Sequence, residues 1–536
     1  MESIAPIEAT GDASAGRKDD RGLGVQGATS ASALSPQRRA ADMSRSGKAL
    51  VLSSGKLLTT VFSIVSVAIL ARLLTRDDYA TYRQVLLVFS FASPLLGLAL
   101  PQALYYFIPQ SRGRERTVLV ENLLLLGASG VAFGAALLLG GNRLIAEGFN
   151  NEALAPALLV AALYFAVMLP GSAFPACMMA NGHAVSVALV TAANRALALI
   201  IMVTVAWFHP TSLAVVCALT ASAVVGFVIE LVLMFRACRS GSLRPSWRGL
   251  RQQLSFSVPL GIASTASIAS SLIDKTIVSA RSTPGEFAIY VNGATEIPLI
   301  NIVAGSVNSV LLPDMSRLCA NGKKKEAIGL WQRAAAKTAL AVFPVLFMFW
   351  FLAPDIISIL FSEKYSESVH VFRVFLLLLP ARIVYFGPAL IAAGRNKLVL
   401  VAAISGLVGT VALAIPMMKL AGILGAALAT VLSTYLFQIG MMIRCIAKEY
   451  RLSLVEVLPL ASLGRSFLVA ALSSAILIPS LYVNSVGPIV RLGVFGPLYC
   501  VVVAVAYYHW GIVSKQAFLG VLRRFARVGR RQIDTP

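Results

Sequence analysis

The sequence predicts an all-α integral membrane protein with about fourteen transmembrane helices, arranged as two six-helix pseudo-repeats around a central cavity plus two appended helices. Hydrophobic residues occupy 57% of the 536 positions and charged residues only 13%, and the mean hydropathy is +0.79. Soluble domains are about half apolar and a quarter charged. Long apolar segments follow one another along the chain, and short landmarks recur in its two halves.

The apolar segments are long enough to cross a bilayer as helices. A crossing helix needs about 20 mostly apolar residues, because every backbone N–H and C=O must be paired within the segment. The predicted segments are 52–74, 84–108, 118–140, 154–176, 185–207, 213–235, 254–276, 290–312, 334–353, 370–392, 398–418, 423–446, 463–483 and 488–512.

An internal repeat relates the two halves. The link after the first segment contains Asp78–Tyr82, and the link after the seventh contains Glu286–Tyr290; both read acid, aromatic, Ala, any residue, Tyr. Two further pairs of landmarks recur at nearly the same separation, Pro109 with Pro313 and Gly182 with Gly394. Three matches in the same order indicate one six-segment unit used twice, as in transporters with internal symmetry.

The repeat and the composition divide the chain into five parts. Residues 1–45 are rich in Ala, Ser, Gly and charge, so they are expected to form a disordered cytoplasmic tail. The other predicted parts are a first six-helix bundle (46–240), a second six-helix bundle (241–450), two additional transmembrane helices (451–513) and a basic cytoplasmic tail (514–536).

Charge patterning predicts topology rather than a nucleic-acid partner. The formal net charge is +22, and the basic residues concentrate in alternate loops and ends such as 236–251, 317–337 and 515–531. The positive-inside rule accounts for this asymmetry, and it places both termini in the cytoplasm.

No enzyme or metal motif is present. The six cysteines lack the paired spacing of a disulfide framework or a zinc site. The four histidines are far apart, and no phosphate-cradling loop or HExxH sequence occurs. We therefore expect a carrier that uses no cofactor, with a coupling ion left open.

Arg195 and Arg382 are the strongest candidate site residues. They lie near the middle of the fifth and tenth segments, where a charge is costly and usually faces a cavity or a partner. Arginine can form two parallel hydrogen bonds to a phosphate, so the pair suits a pyrophosphate or another anionic headgroup. The structural alternative is pairing with a carboxylate or with backbone carbonyls.

Other polar residues within apolar segments complete the predicted substrate site. Arg72 and Lys275 could equally reach the membrane interface, and Asp274 could neutralise a cation or bind a coupling ion. Asn301 and Asn308 share one helix face, which either lines a cavity or bonds to a neighbouring helix. The full secondary set is Lys56, Arg72, Asp274, Lys275, Glu296, Asn301 and Asn308. Glu121 and Glu230 are expected at the membrane interface.

Several loose motifs together resemble one transporter family. They are Ala71–Leu74, Asp78–Tyr82, Leu100–Pro109, Asp274 with Glu286–Tyr290, Leu311–Arg317, Ala392–Lys397 and Gly422–Ala427. As a set they resemble the polysaccharide-export flippases of the multidrug, oligosaccharidyl-lipid and polysaccharide exporter superfamily, although Ala80 stands where a Gly is usual.

The resemblance implies two bundles packed as a V around a central cavity that opens alternately to either side. It implies a flippase in the bacterial inner membrane that moves a polyprenyl-pyrophosphate-linked oligosaccharide to the outer leaflet for surface polysaccharide. The implied partners are this glycan, membrane lipids and the polysaccharide polymerase machinery.

Three alternative functions stay open. A peptidoglycan-precursor flippase or a cation-coupled drug exporter would share the fold, but a drug exporter for cations favours buried carboxylates, whereas the deepest charges here are arginines. A membrane glycosyltransferase or polymerase would need a catalytic group on a sizeable loop, and the outer links are short.

Overall fold

The computed structural model describes residues 45–513, except 112, 296, 384, 484 and 485. All of its regular elements are helices, which confirms the predicted all-α membrane fold. The predicted tails, residues 1–45 and 514–536, lie outside the described residues apart from Arg45. The described residues from Lys48 onward form one compact unit, and the division into two six-helix bundles stays a prediction.

Nine helices occupy the first half of the described chain. They are α1 (Arg45–Leu73), α2 (Arg76–Gly97), α3 (Leu100–Gln110), α4 (Glu115–Ala136), α5 (Asn142–Gly148), α6 (Leu154–Gly171), α7 (Ala173–Ala180), α8 (Ala184–Phe208) and α9 (Ser212–Ala237). A π-helical turn, Leu137–Gly141, joins α4 to α5.

Eleven helices occupy the remainder of the described chain. They are α10 (Trp247–Arg281), α11 (Pro284–Gly293), α12 (Pro298–Ala320), α13 (Lys324–Phe351), α14 (Ala353–Phe361), α15 (Ser368–Leu376), α16 (Gly387–Ala392), α17 (Asn396–Ser433), α18 (Gly440–Tyr450), α19 (Leu460–Ser473) and α20 (Pro488–His509). Short 3₁₀ turns cover Glu363–Tyr365, Pro380–Arg382 and Ser474–Leu481, and a π-helical turn covers Thr434–Ile439.

The repeated links begin their helices in the same way. Thr75 Oγ1 accepts a hydrogen bond from the backbone N–H of Asp78 at 3.1 Å, and Thr283 Oγ1 accepts one from Glu286 at 3.3 Å. Glu286 also accepts from the N–H of Thr283, which completes a capping box. The acid of each repeated motif therefore lies in the first turn of its helix, where the free N–H groups favour negative charge.

The predicted count of fourteen crossings is not confirmed. Ten described helices are long and apolar enough to cross a membrane, or up to twelve if each of two bent helix pairs is one crossing. One of the ten, Asn396–Tyr450, is interrupted at Ala421 and Gly422 and covers two predicted segments. Helix α12 is not among these candidate crossings, because polar residues interrupt its apolar sequence.

Helix breaks occur where the sequence places prolines and glycines. Helices α2 and α3 meet at 41°, next to Pro94 and Pro101, and α15 meets the Pro380–Ala392 segment at 44°. Such breaks leave backbone groups unpaired, and membrane proteins tolerate them only where protein or a cavity surrounds them.

The long helix α10 contacts both halves of the chain. A Cβ added to Gly261 would lie 2.6 Å from the backbone of Leu98, so this residue allows a close contact with the α2–α3 break. Further along, α10 packs against α17. Helix α10, which begins the second half, therefore also contacts helices of the first half.

Glu121, which is expected at the membrane interface, lies against the start of α10. Its side chain is buried, and it accepts hydrogen bonds from Ser246 N at 3.0 Å, Ser246 Oγ at 2.8 Å and Gln253 Nε2 at 3.3 Å. The first N–H groups of a helix have no intrahelical partner and carry partial positive charge. The Glu121 carboxylate accepts hydrogen bonds at the start of α10, and this pairing explains why the Glu121 side chain can be buried.

The two appended helices pack against α13 and α14. Arg491 at the start of α20 pairs with Asp355 of α14 at 2.6 Å, with both side chains largely buried. Tyr499 and Tyr507 of α20 donate to the carbonyl oxygens of Ala470 and Ser466 on α19. The ion pair attaches α20 to α14, and the tyrosine bonds join α20 to α19.

Candidate functional site

A cavity of about 540 Å³ lies within the second half of the chain. Its walls come from α10, α12, the bent segment from α15 to α16, and the segment from α17 to α18. A volume of this size is typical of small-molecule sites, which usually measure about 300–1,000 Å³. The cavity is therefore large enough to hold the polar headgroup of a ligand.

Lys275 and Asp274 form one charged corner of the cavity. The Lys275 Nζ lies 3.7 Å from Asp274 Oδ2, and both side chains are largely buried. The buried Tyr290 hydroxyl donates to the same carboxylate oxygen at 2.9 Å. The Asp274 carboxylate is thus neutralised by a cation and held by a hydroxyl, which favours the first of its two predicted roles.

Arg382 reaches the cavity from a break in a helix. It lies in the 3₁₀ turn Pro380–Arg382, and prolines at 380 and 388 prevent a continuous helix there. The Tyr435 hydroxyl donates to the Leu377 carbonyl oxygen at 2.6 Å, so a neighbouring helix holds the start of the break. Arg382 adds a guanidinium to the cavity lining, beside the compensating charges of Lys275 and Asp274.

The remaining walls combine uncharged polar groups with aromatic rings. Hydroxyl and amide groups can bond to sugar hydroxyls or phosphate oxygens, and aromatic rings supply flat apolar surface. The Asn308 amide oxygen is buried and has no hydrogen-bond partner among the described residues. The polar and aromatic members are Ser267, Ser270, Ser271, Thr295, Asn308, Thr430, Thr434, Gln438, Phe372, Phe375, Tyr385 and Phe386.

The structure brings four of the nine predicted site residues together. Asp274, Lys275, Asn308 and Arg382 line the cavity. Arg195, Lys56 and Arg72 do not line it. Glu296 lies outside the described residues, and Asn301 is described only as a backbone position in α12.

Arg195 lies on α8 in the first half, and its side chain is exposed. Its charge acts on Glu230 of α9 and on Tyr164 of α6. Glu230 in turn accepts a hydrogen bond from Asn194 Nδ2 at 2.8 Å. Arg195 therefore lies near Glu230 on the neighbouring helix and does not share the cavity of Arg382.

Arg72 bonds to a helix end and Lys56 faces outward. The Arg72 guanidinium donates to the carbonyl oxygens of Leu360 at 3.1 Å and Ser358 at 3.3 Å, and also to that of Ile359. These are the last carbonyls of α14, which attract cations because they lack intrahelical partners. Lys56 is exposed on α1.

Several residues that line or support the cavity escaped the sequence analysis. Tyr290 was noted only as the end of the repeated motif, yet it holds Asp274. Tyr385 follows a helix break and Gln438 lies within a π-helical turn, and the apolar pattern reveals the position of neither. The prolines on either side of Arg382 were the one sequence feature that predicted a helix break in this part of the cavity.

Comparison with known proteins identifies the family. A family model described as "Polysaccharide biosynthesis protein" matches residues 47–319, just over half of the chain. A curated relative, the probable lipid II flippase MurJ of Rhizobium meliloti (strain 1021), is 25% identical over 259 residues. That match covers 45% of this chain and 48% of the relative, so the chain spans about half the length of the curated relative it matches.

Solved structures share the fold. Lipid II flippase MurJ in an inward closed conformation superposes with a TM-score of 0.69 at 13% identity, covering 85% of this chain and 99% of that one. An inward-facing multidrug resistance MATE family transporter of the MOP superfamily gives 0.59 at 13% identity, covering 76% and 99%. The fold is thus the one seen in these solved structures, and the matching family model shows that the chain belongs to the polysaccharide biosynthesis protein family.

Proposed function

We propose that the chain translocates a polyprenyl-pyrophosphate-linked oligosaccharide across the cytoplasmic membrane by alternating access. The observation that carries the proposal is the cavity in which Arg382 and Lys275 stand among hydroxyl, amide and aromatic side chains. A guanidinium binds phosphate oxygens through parallel hydrogen bonds, and the neutral polar walls suit a saccharide. Membership of the polysaccharide biosynthesis family supports the same substrate class.

The proposed roles follow from the contacts. Arg382 binds the phosphate directly, and Lys275 joins it when it moves away from Asp274. The 3.7 Å separation of Lys275 and Asp274 is longer than a good charge-assisted hydrogen bond, so Lys275 can exchange partners. Asn308 supplies an amide oxygen for a sugar hydroxyl, since that oxygen has no partner among the described residues.

A peptidoglycan-precursor flippase is the second candidate function. The curated relative and the solved structure with a TM-score of 0.69 are both described as lipid II flippases. The same cavity chemistry would serve either cargo, because both are lipid-linked saccharides. The two functions differ in the glycan, and only a comparison of cargoes separates them.

The proposed orientation places both termini in the cytoplasm. The supporting observation is the excess of Lys and Arg in alternate loops of the sequence. Single-cysteine labelling with a membrane-impermeant maleimide tests it: a cysteine at Gly285 should react from outside intact cells, and one at Gly322 should react only after permeabilisation. The reverse pattern contradicts the orientation.

A reconstituted flipping assay tests the function. The purified chain is placed in liposomes that contain a fluorescent polyprenyl-pyrophosphate oligosaccharide, and the fraction accessible to an external quencher is followed with time. Arg382→Ala removes one charge-assisted contact of about 1.5–3 kcal/mol, which corresponds to roughly a 10- to 150-fold weaker interaction. Arg382→Lys keeps the charge without the two-pronged geometry and should fall between the wild type and Arg382→Ala.

Arg143→Ala is the matched control, because Arg143 is an exposed arginine on α5 away from the cavity. Equal flipping by Arg382→Ala and Arg143→Ala would contradict the role of Arg382. Flipping of fluorescent lipid II but not of the longer oligosaccharide would favour the second candidate function. No flipping of either cargo by the wild-type chain would reject both.

A further inference from the structure

A second cavity, of about 360 Å³, lies beside the short link between α10 and α11, and it is here termed the link cavity. Arg281, the last residue of α10, lines it together with Ser282 of the link and Glu286 of α11. Helix α17 supplies the rest of the lining, which consists of Ile415, Met418, Lys419, Gly422 and Ile423. None of these residues lines the larger cavity that contains Arg382, so the two cavities are separate.

A break in α17 borders the link cavity. Ala421 and Gly422 depart from helical geometry, and Gly422 has a φ of 56°, which glycine adopts without the steric cost of a side chain. A Cβ added to Gly422 would meet no atom within 4 Å, so the backbone faces open space at this point. The helix break therefore leaves part of the cavity wall without side chains.

Two cations line the link cavity. Arg281 and Lys419 come from distant parts of the sequence, and both side chains are exposed. Neither makes an ion pair or a side-chain hydrogen bond with any residue that the structure describes. Two like charges in one cavity repel each other, and an anion between them replaces that repulsion with attraction.

The acidic residue in the lining is engaged elsewhere. The Glu286 carboxylate accepts hydrogen bonds from Thr283 N at 2.9 Å and from Thr283 Oγ1 at 3.0 Å. It lies in the first turn of α11, where the free N–H groups favour negative charge. Glu286 therefore neutralises neither cation through a direct contact, and the two cations outnumber it in the lining.

The link cavity and the larger cavity follow one another along the contact between α10 and α17. Asp274 lines the larger cavity, and Arg281 lines the link cavity seven residues later on the same helix. Seven residues make almost two full turns, so both residues lie on one face of α10 and are about 10 Å apart along its axis. A ligand that leaves the larger cavity along this face reaches Arg281 next.

Topology does not account for the two cations. The proposed orientation places the link between α10 and α11 outside the cell, and the links assigned to that side contain few Lys and Arg residues. The positive-inside rule explains cations in cytoplasmic loops only. The presence of Arg281 and Lys419 in one outer cavity is therefore better explained by a ligand.

We propose that the link cavity is a second anion site, which binds the phosphate of a membrane lipid at the outer surface. Arg281 donates to two phosphate oxygens through its planar guanidinium, and Lys419 adds a compact charge. The phosphate comes either from the cargo, after it leaves the larger cavity, or from the headgroup of a phospholipid. The first of these sources rests on the proposed function, whereas the phosphate chemistry is common to both.

Protection of a cysteine from a maleimide tests the site without any transport. Ser282→Cys, in a variant without the native cysteines, is purified in maltoside micelles, which contain no phosphate. The rate of labelling is measured with farnesyl pyrophosphate, with phosphatidylglycerol and with farnesol, which has the same chain as the first probe but no phosphate. At least one of the two phosphate lipids should slow labelling about fivefold or more, and farnesol should leave the rate unchanged. The phosphate lipid that protects at the lower concentration identifies the source.

Matched variants isolate the two cations. Arg281→Ala with Lys419→Ala should raise the half-protecting concentration about tenfold or more, since each change removes a charge-assisted contact. Arg143→Ala removes an exposed arginine outside the lining and should leave that concentration unchanged. Ser366→Cys, at an exposed serine outside the lining, should not be protected.

Three results would overturn the proposal: labelling of Ser282→Cys that neither phosphate lipid slows, equal slowing by farnesol, or protection that persists in the double variant. The liposome assay separates this failure from failure of the proposed function. Flipping by the wild-type chain without protection would reject the link cavity as a phosphate site and leave the function standing. Protection that depends on both cations, without flipping of either cargo, would support the site and reject the function.

Discussion

Arg491→Met should destabilise the chain strongly, because it leaves Asp355 as a buried, unpaired carboxylate. The two side chains are only 17% and 5% exposed, and their closest oxygen and nitrogen are 2.6 Å apart. Removing one partner of such a buried pair costs about 3–5 kcal/mol of unfolding free energy. Burial raises the pKa of the Asp355 carboxyl even though Arg491 lowers it, so desolvation outweighs the attraction.

The double variant Asp355→Asn with Arg491→Met should recover most of the loss, within about 1 kcal/mol of the wild type, since replacing a whole buried pair is often neutral. The free energy of unfolding is measured by denaturant titration in micelles for the wild type, both single variants and the double variant. Equal losses for Arg491→Met and the double variant would refute the reasoning, because the unpaired charge would then carry no penalty.

The same pair predicts a direction for the pH dependence. A folded-state pKa above the unfolded value means that the folded chain binds the proton more tightly. The stability contribution of Asp355 is then fully present below its unfolded pKa and is lost as the pH rises through its folded pKa. Asp355→Asn should therefore flatten the acidic side of the stability profile, and an unchanged slope would contradict the raised pKa.

Three further variants test the fold and the cavity. Glu121→Ala removes the acceptor for the start of α10 and should cost about 2–4 kcal/mol of unfolding free energy, whereas Glu121→Gln keeps part of the cap and should cost less. Gly425→Ala places a Cβ 1.9 Å from a carbonyl oxygen and should cost about 3 kcal/mol or more, while Gly464→Ala, with no atom within 4 Å, should cost nothing measurable; thermal unfolding compares them. Tyr290→Phe frees the Asp274 carboxylate and should slow flipping while changing stability by only about 1–2 kcal/mol, which the liposome assay and the denaturant titration separate.

The sequence predicted the membrane class, the repeated links and the breaks at prolines because each depends on local chemistry. Apolar length decides whether a segment crosses a membrane, and a proline interrupts a helix wherever it stands. Arg382 lines the cavity, which fits the local argument that a charge in an apolar segment needs polar surroundings, and its role as a ligand of the cargo stays a prediction.

The remaining site depends on which segments become neighbours, and one sequence does not show that. Arg195, like Arg382, is a charged residue within an apolar segment. Its helix packs next to the helix that carries Glu230 and not next to the cavity. The sequence around Glu121 predicts an acid at the membrane interface. Its side chain is buried because the start of α10, at Ser246 far along the chain, packs against it. Such pairings follow from tertiary packing rather than from local pattern.

Glu121 also sets a condition on biosynthesis. Its principal partner, Ser246, lies 125 residues further along the chain, so α4 leaves the ribosome well before the start of α10 exists. In the interval the carboxylate has to remain hydrated, protonated or shielded by another protein, because a naked charge in lipid is costly. A chain truncated before Ser246 lacks the groups that pair with the Glu121 carboxylate, so it should be less stable in the membrane than a chain that includes the start of α10.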